Sequence, residues 1–226
     1  MSKITAQMVK ALRDRTGAGM MACKEALEEV GGDEEKAVEL IQKKGLAKVA
    51  KKAGAIAAEG LIHSYIHGAG RIGVLVEVNC QTDFVARNEE FRAFVDEVAM
   101  QIASASPEYV RREEIPAEAV EKKRAFFREQ LEEEDRQSGK SRPAEALDKI
   151  VEGKLNKWFK EVCLLEQESM LREGDKDDIG TILDKLSAKI GEKLTIRRFV
   201  RYELGEGIEK KVSNLAEEVA EQLKGG

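Results

Sequence analysis

Apolar residues along this chain switch between two periods, and the switches outline its elements. Across residues 71–78 (RIGVLVEV) they alternate, putting Ile72, Val74, Val76 and Val78 on one face of a strand. Residues 59–67 (EGLIHSYIH) predict another strand, and the turn His67-Gly68-Ala69-Gly70 between them predicts an antiparallel hairpin. A third strand is expected over residues 194–204, with Ile196, Val200 and Tyr202 on one face and Thr195, Arg197, Phe199 and Arg201 on the other.

The remaining apolar residues recur at helical spacing. Residues 1–45 carry three short stripes. Thr5 caps the first, which holds Met8, Val9 and Leu12 and breaks at Thr16-Gly17-Ala18-Gly19. The second holds Met20, Met21, Cys23, Ala26, Leu27 and Val30 and stops at Gly31-Gly32. Asp33 caps the third, with Ala37, Val38, Leu40 and Ile41, which is expected to end at Gly45. In arrangement this unit resembles the ubiquitin-associated (UBA-like) type of helical domain. Residues 46–58, rich in Ala and Lys, predict a partly helical linker whose Lys48, Lys51 and Lys52 form a solvated basic face.

Asn88 caps a core helix carrying Phe91, Phe94, Val95, Val98 and Ile102 that stops before Pro107. Pro116 and Pro143 open two further helices, expected to pack antiparallel through Val120, Phe127 and Leu131 against Leu147, Ile150, Val151, Leu155 and Trp158. A short helix over 179–190 places Ile182, Leu183 and Leu186 inward and ends at Gly191, and a terminal helix is expected over 208–223. The expected organisation is a helical domain (1–45), a linker (46–58), a core first half (59–107), a helical excursion (108–165), a core second half (166–208) and a C-terminal helix (209–226). The fold class is α+β, an antiparallel three-stranded sheet packed with helices.

Composition narrows the function. The 226 residues include 38 basic and 43 acidic side chains, a net charge of −5, which argues against binding nucleic acid through a basic surface. Cys23, Cys80 and Cys163 have no CxxC spacing, so a zinc site or disulfide framework is not expected and a reducing compartment fits. No apolar run reaches membrane-spanning length and no targeting segment is visible, so a cytoplasmic protein without membrane contact is expected, the alternative being a processed organelle protein. His63 and His67 share a strand face without a third metal ligand, and there is neither a phosphate-binding glycine loop nor a nucleophile with a base. The expectation is a protein that is not an enzyme and carries no cofactor.

Between the best strand and the core helix lies NCQTDFVARN, residues 79–88. Thr82 and Asp83 suit the cap of a short turn, which would stand Phe84 on a tight connection where it can reach a partner. Residue type alone favours burial for a large aromatic beside a strand. Met20 and Met21, being adjacent, cannot both face one core from one helix. One is expected to pack inside and leave the other to an adaptable contact, the alternative being that both are partly buried.

NCQTDFVARNEEF (79–91) resembles the signature of elongation factor Ts, the exchange factor of elongation factor Tu. Three further stretches resemble the same family in the same order. They are ITAQMVKALRDRTGAGMMACKEALEEVGGDEEKAVELIQKKG (4–45), KIVEGKLNKWFKEVCLLEQ (149–167) and KIGEKLTIRRFVRYELGEGIEK (189–210). The resemblance implies a guanine-nucleotide exchange factor that binds elongation factor Tu with GDP, displaces its magnesium ion and releases the nucleotide. It implies a magnesium-dislodging motif at Thr82, Asp83, Phe84 and Val85, with contacts at Met20, Met21, Lys24, Ile190 and Gly191. SYIHG resembles a contact segment, so His67 is either a secondary contact or a plain turn histidine. Longer family members carry the core motif twice. This chain carries it once, and a homodimer would restore the doubled core. The rival class is a helical adaptor using the N-terminal unit alone, which leaves TDFV without a role.

Overall fold

The structure, a computed structural model, describes residues 4–51, 56–139, 141–172 and 176–208. The expected C-terminal helix beyond Ile208 lies outside the described residues, as do residues 52–55 of the expected linker.

Three helices open the chain: α1 (Ala6–Thr16), α2 (Met20–Glu29) and α3 (Glu34–Lys51). The Thr5 hydroxyl accepts from the Met8 amide at 3.3 Å and the Asp33 carboxylate from the Lys36 amide at 3.1 Å, so both caps stand as read. Val9, Leu12, Cys23, Ala26, Leu27 and Ala37 form a closed small core. α3 does not end at Gly45. It runs on to Lys51, and the missing Cβ of Gly45 gives a later helix, α8 (Ile179–Ile190), room to lie against it. A Cβ there would stand 2.8 Å from Ala188 Cβ and 2.9 Å from the Ala188 carbonyl oxygen, so the glycine is a contact point and not a stop.

The sheet is β1 (Glu59–His67), β2 (Ile72–Cys80) and β3 (Thr195–Glu203), in the order β1-β2-β3 and antiparallel throughout. The hairpin register pairs Glu59 with Cys80 and His67 with Ile72. Val74, Val76, Val78 and Cys80 face inward against Phe91, Phe94, Val95, Val98 and Ile102 of α5 (Glu89–Ala105), and Ile182 and Leu183 of α8 (Ile179–Ile190) complete that core. The Asn88 side chain caps α5, accepting from the amides of Glu90 at 2.9 Å and Phe91 at 3.1 Å.

β3 departs from the expected alternation. A bulge opposite Glu77 and Val78 inserts one residue, so Arg197 and Arg198 both stand exposed and the faces exchange beyond them. Ile196 and Phe199 belong to the core, whereas Val200 and Tyr202 face outward. Arg201 lies inward at the end of α5, donating to the Ala103 carbonyl, where a cation meets the carbonyl end of a helix.

Between α5 and α8 the chain leaves the core as α6 (Ala117–Ser138) and α7 (Ala144–Val162), joined through Leu131, Val151 and Leu155 with Phe127 and Leu147 beside them. Val120 packs lower down, with Ile115, Val162 and Cys163. Ile150 is exposed at 37%, because the stripe Leu147, Val151, Leu155 leaves it on the flank. The root of this hairpin is fixed by buried Gln101, whose amide donates to the Gln167 side chain and the Glu168 carbonyl, both at 3.2 Å.

Candidate functional site

The NCQTDFV stretch carries the chain out of β2 and into α4 (Asp83–Ala86), a single helical turn. One turn cannot stabilise itself, so something outside it must set its orientation. Three anchors do so. Val85 is buried in the main core. The Cys80 thiol donates to the Thr82 carbonyl at 3.1 Å. Burial, and then the nearby Glu192 carboxylate, raise that thiol's pKa above its ordinary value and keep the proton on sulfur.

The third anchor is Glu192 itself, a half-buried residue that the sequence reading passed over. Its Oε2 accepts from the backbone amides of Gln81 and Thr82, each at 3.1 Å, and its Oε1 accepts from the Thr82 hydroxyl at 2.8 Å. Thr82 therefore occupies the N-cap position of α4 with its hydroxyl turned to Glu192, and makes no side-chain cap bond. No local pattern could have singled out Glu192, one charged residue among many and more than a hundred positions away. Only its place next to Gly191, a left-handed helix end with φ 78°, marks it.

Held in this way, Phe84 points outward and is 79% exposed. Asp83 beside it is exposed and accepts from the Arg87 guanidinium at 3.0 Å, one turn along. Asp83 is thus the first helical residue, not a cap. Carboxylate and ring stand together on a surface whose backbone is fixed from behind.

The candidate contact residues fall into two groups. Ile190 and Gly191 immediately precede Glu192 and so adjoin the turn that carries Phe84. Lys189, next to them, pairs with Glu90 of α5 at 2.7 Å. Lys189 and Glu90 line a cleft together with Arg15 and Thr16 at the end of α1 and Ala18 of the α1–α2 loop. That loop leads directly into Met20 and Met21, exposed at 44% and 66%. Neither methionine packs inside, contrary to the expectation for one of them. The buried stripe of α2 begins at Cys23, and its first turn projects past the small core. Lys24 is exposed and lies 3.7 Å from Glu28 on its own helix. His67 stands apart. It sits at the hairpin end opposite Cys80, and β2 is nine residues long, which at about 3.3 Å per residue places it roughly 26 Å from that end. Its Nδ1 lies 2.9 Å from the Tyr65 hydroxyl.

Among the described residues no group of three or more His, Cys, Asp or Glu is arranged to hold a metal, and no helix is long and apolar enough to cross a membrane. All three cysteines are buried free thiols.

Comparison with known proteins gives a consistent result. The family model described as elongation factor TS matches residues 3–206. The chain is 56% identical to elongation factor Ts of Desulforamulus reducens, over 99% of this chain and 100% of that protein. It is 57% identical to elongation factor Ts of Carboxydothermus hydrogenoformans, over 98% of each. It is also 54% identical to elongation factor Ts of Acetivibrio thermocellus, over 98% of this chain and 100% of that protein.

Proposed function

The chain belongs to the elongation factor Ts family, and on that premise we propose that it is a guanine-nucleotide exchange factor acting on elongation factor Tu in the cytoplasm. It binds the GDP-loaded partner, displaces the partner's magnesium ion and lets GDP leave. It promotes this release by binding one state of its partner better than another, without making or breaking a covalent bond.

The observation that carries the reading is Phe84, a large apolar side chain left in solvent on a one-turn helix anchored on its inner side. An exposed phenylalanine on a rigid mount suits a wedge. Asp83, next to it, brings a negative charge to the place where a bound cation is to be displaced. Thr82 and Val85 hold the pair in position, one through Glu192 and the other through the core.

A wedge alone is insufficient. Shifting a partner from one state to the other by about ten-thousand-fold requires roughly 5.5 kcal/mol of differential binding. Met20, Met21 and Lys24 supply the second contact from the helical unit, and Ile190 and Gly191 extend it beside Phe84. His67 gives a separate, more distant contact. Because coupling is reciprocal, whatever strengthens binding to the nucleotide-free partner weakens GDP binding by the same factor.

We further propose that two copies of the chain associate through the outer face of the sheet. Ile62 and Ile66 of β1, Leu75 of β2, and Val200 and Tyr202 of β3 share that face and are all exposed.

The reading is tested by the release of labelled GDP from purified elongation factor Tu. Added chain is expected to accelerate release at sub-stoichiometric amounts. Unchanged release at saturating chain would refute the reading.

A further inference from the structure

Gly191 ends α8 in the left-handed conformation, its amide donating to the Ser187 carbonyl at 2.8 Å. The Leu194 amide then donates to the buried Ser187 hydroxyl at 3.3 Å. The short connection from α8 to β3 is therefore fixed at both ends, and Glu192 projects from its middle. Its carboxylate spans to the end of β2 and accepts three hydrogen bonds there, two from amides and one from a hydroxyl. Gln81 and Thr82 have just left the β2 ladder, which ends at Cys80, so their amides have no strand partner. A carboxylate is a strong acceptor for such amides, and bonds to a charged group are worth more than neutral ones.

We infer that Glu192 is a positioning residue for the exchange step. It holds the Gln81–Thr82 backbone so that Asp83 and Phe84 are presented in one orientation, and it locks that turn to the neighbouring contact at Ile190 and Gly191. This inference rests on the exchange reading given above.

The physical reason is pre-organisation. A one-turn helix bearing an exposed aromatic loses orientational freedom when it docks. Glu192 removes that freedom beforehand, so less of the binding free energy is lost in ordering the turn. The staple also joins sequence segments that are remote in the chain, so engagement at Ile190 and Gly191 places Phe84 with no further search. Val85 and the Cys80 thiol fix the depth of the turn. Among the described residues, Glu192 alone holds the two amides that set its direction.

Glu192→Ala and Glu192→Gln test the role. In Gln the acceptor pair is replaced by one oxygen and an NH2 group that opposes the amide donors. Both variants are expected to slow stimulated GDP release by about ten- to a hundred-fold, the value of lost hydrogen bonds to a charged group. In a Phe84→Ala background the same substitutions should cost clearly less, by at least several-fold, because the ring is gone and only Asp83 is left to aim. Native-state hydrogen exchange at the Gln81 and Thr82 amides should rise, while the Val76 and Val78 amides keep their protection. The same fold-loss in both backgrounds, or unchanged exchange at Gln81 and Thr82, would overturn the role. A wild-type chain that leaves GDP release unaltered overturns the exchange reading and this role with it. Wild-type acceleration with equal losses in both backgrounds overturns the role of Glu192 alone.

Discussion

Phe84 and Phe91 stand on either side of Asn88 and differ completely in environment. Phe91 has no exposed surface, whereas Phe84 is 79% exposed. Phe91→Ala should therefore cost about 3–5 kcal/mol of stability, the usual value for emptying a packed aromatic site. Phe84→Ala should stay within about 0.5 kcal/mol of wild type, as surface substitutions do, yet strongly reduce GDP release from elongation factor Tu. Thermal melts read alongside release rates separate the two effects. If Phe84→Ala melts as early as Phe91→Ala, the side chain is structural and the wedge is lost as an explanation. At this scale the sequence located the stretch but not its orientation. Residue type favours burial for a phenylalanine, and what turns Phe84 outward is Val85 taking the inward position of so short a helix.

At the scale of elements, β3 shows where pattern reading fails. Strict alternation would put Val200 and Tyr202 with Ile196, but the bulge at Arg197 and Arg198 exchanges the faces. Both guanidinium groups reach Glu77 on β2, each at 2.7 Å, and they hold its carboxyl down at a pKa of about 2. The ordinary value is 4.5, so the unfolded carboxylate takes up its proton first as the pH falls. The stabilisation from Glu77 is thus complete above pH 4.5 and is lost as the pH falls through about 2. Urea midpoints of wild type and Glu77→Gln should differ most near neutral pH and converge toward pH 2 to 3. A gap independent of pH would show that the two arginines do not act through the charge.

For the whole molecule, the decisive contact joins the helical unit to the core. α3 meets α8 at Gly45, where the helix backbone lies against Ala188. Gly45→Ala improves helix propensity by about 1 kcal/mol, but its Cβ needs space that the Ala188 backbone occupies. The expected outcome is a helical unit that still folds but parts from the core, seen as a larger radius of gyration in solution scattering and weaker binding to elongation factor Tu. Unchanged scattering would mean the interface adapts. The outer sheet face gives a second test at this scale. Wild type should sediment as a dimer at micromolar concentration, and Tyr202→Glu combined with Leu75→Lys should sediment as a monomer. A wild-type monomer would remove the proposed second copy.

Local signals determined much of the protein. The hairpin, the core helix, the caps at Thr5, Asp33 and Asn88, and the α+β class follow from short-range periodicity and capping chemistry. Those depend on neighbours within a few positions, which a sequence displays directly. The face exchange in β3, the run of α3 past Gly45 and the exposure of both methionines each depend on a distant partner: Glu77, Ala188 and the limits of the small core. The hold of Glu192 on Thr82 is of the same kind. A carboxylate gives no sequence sign of which amides it will reach, so tertiary structure alone decided how the turn carrying Phe84 is held.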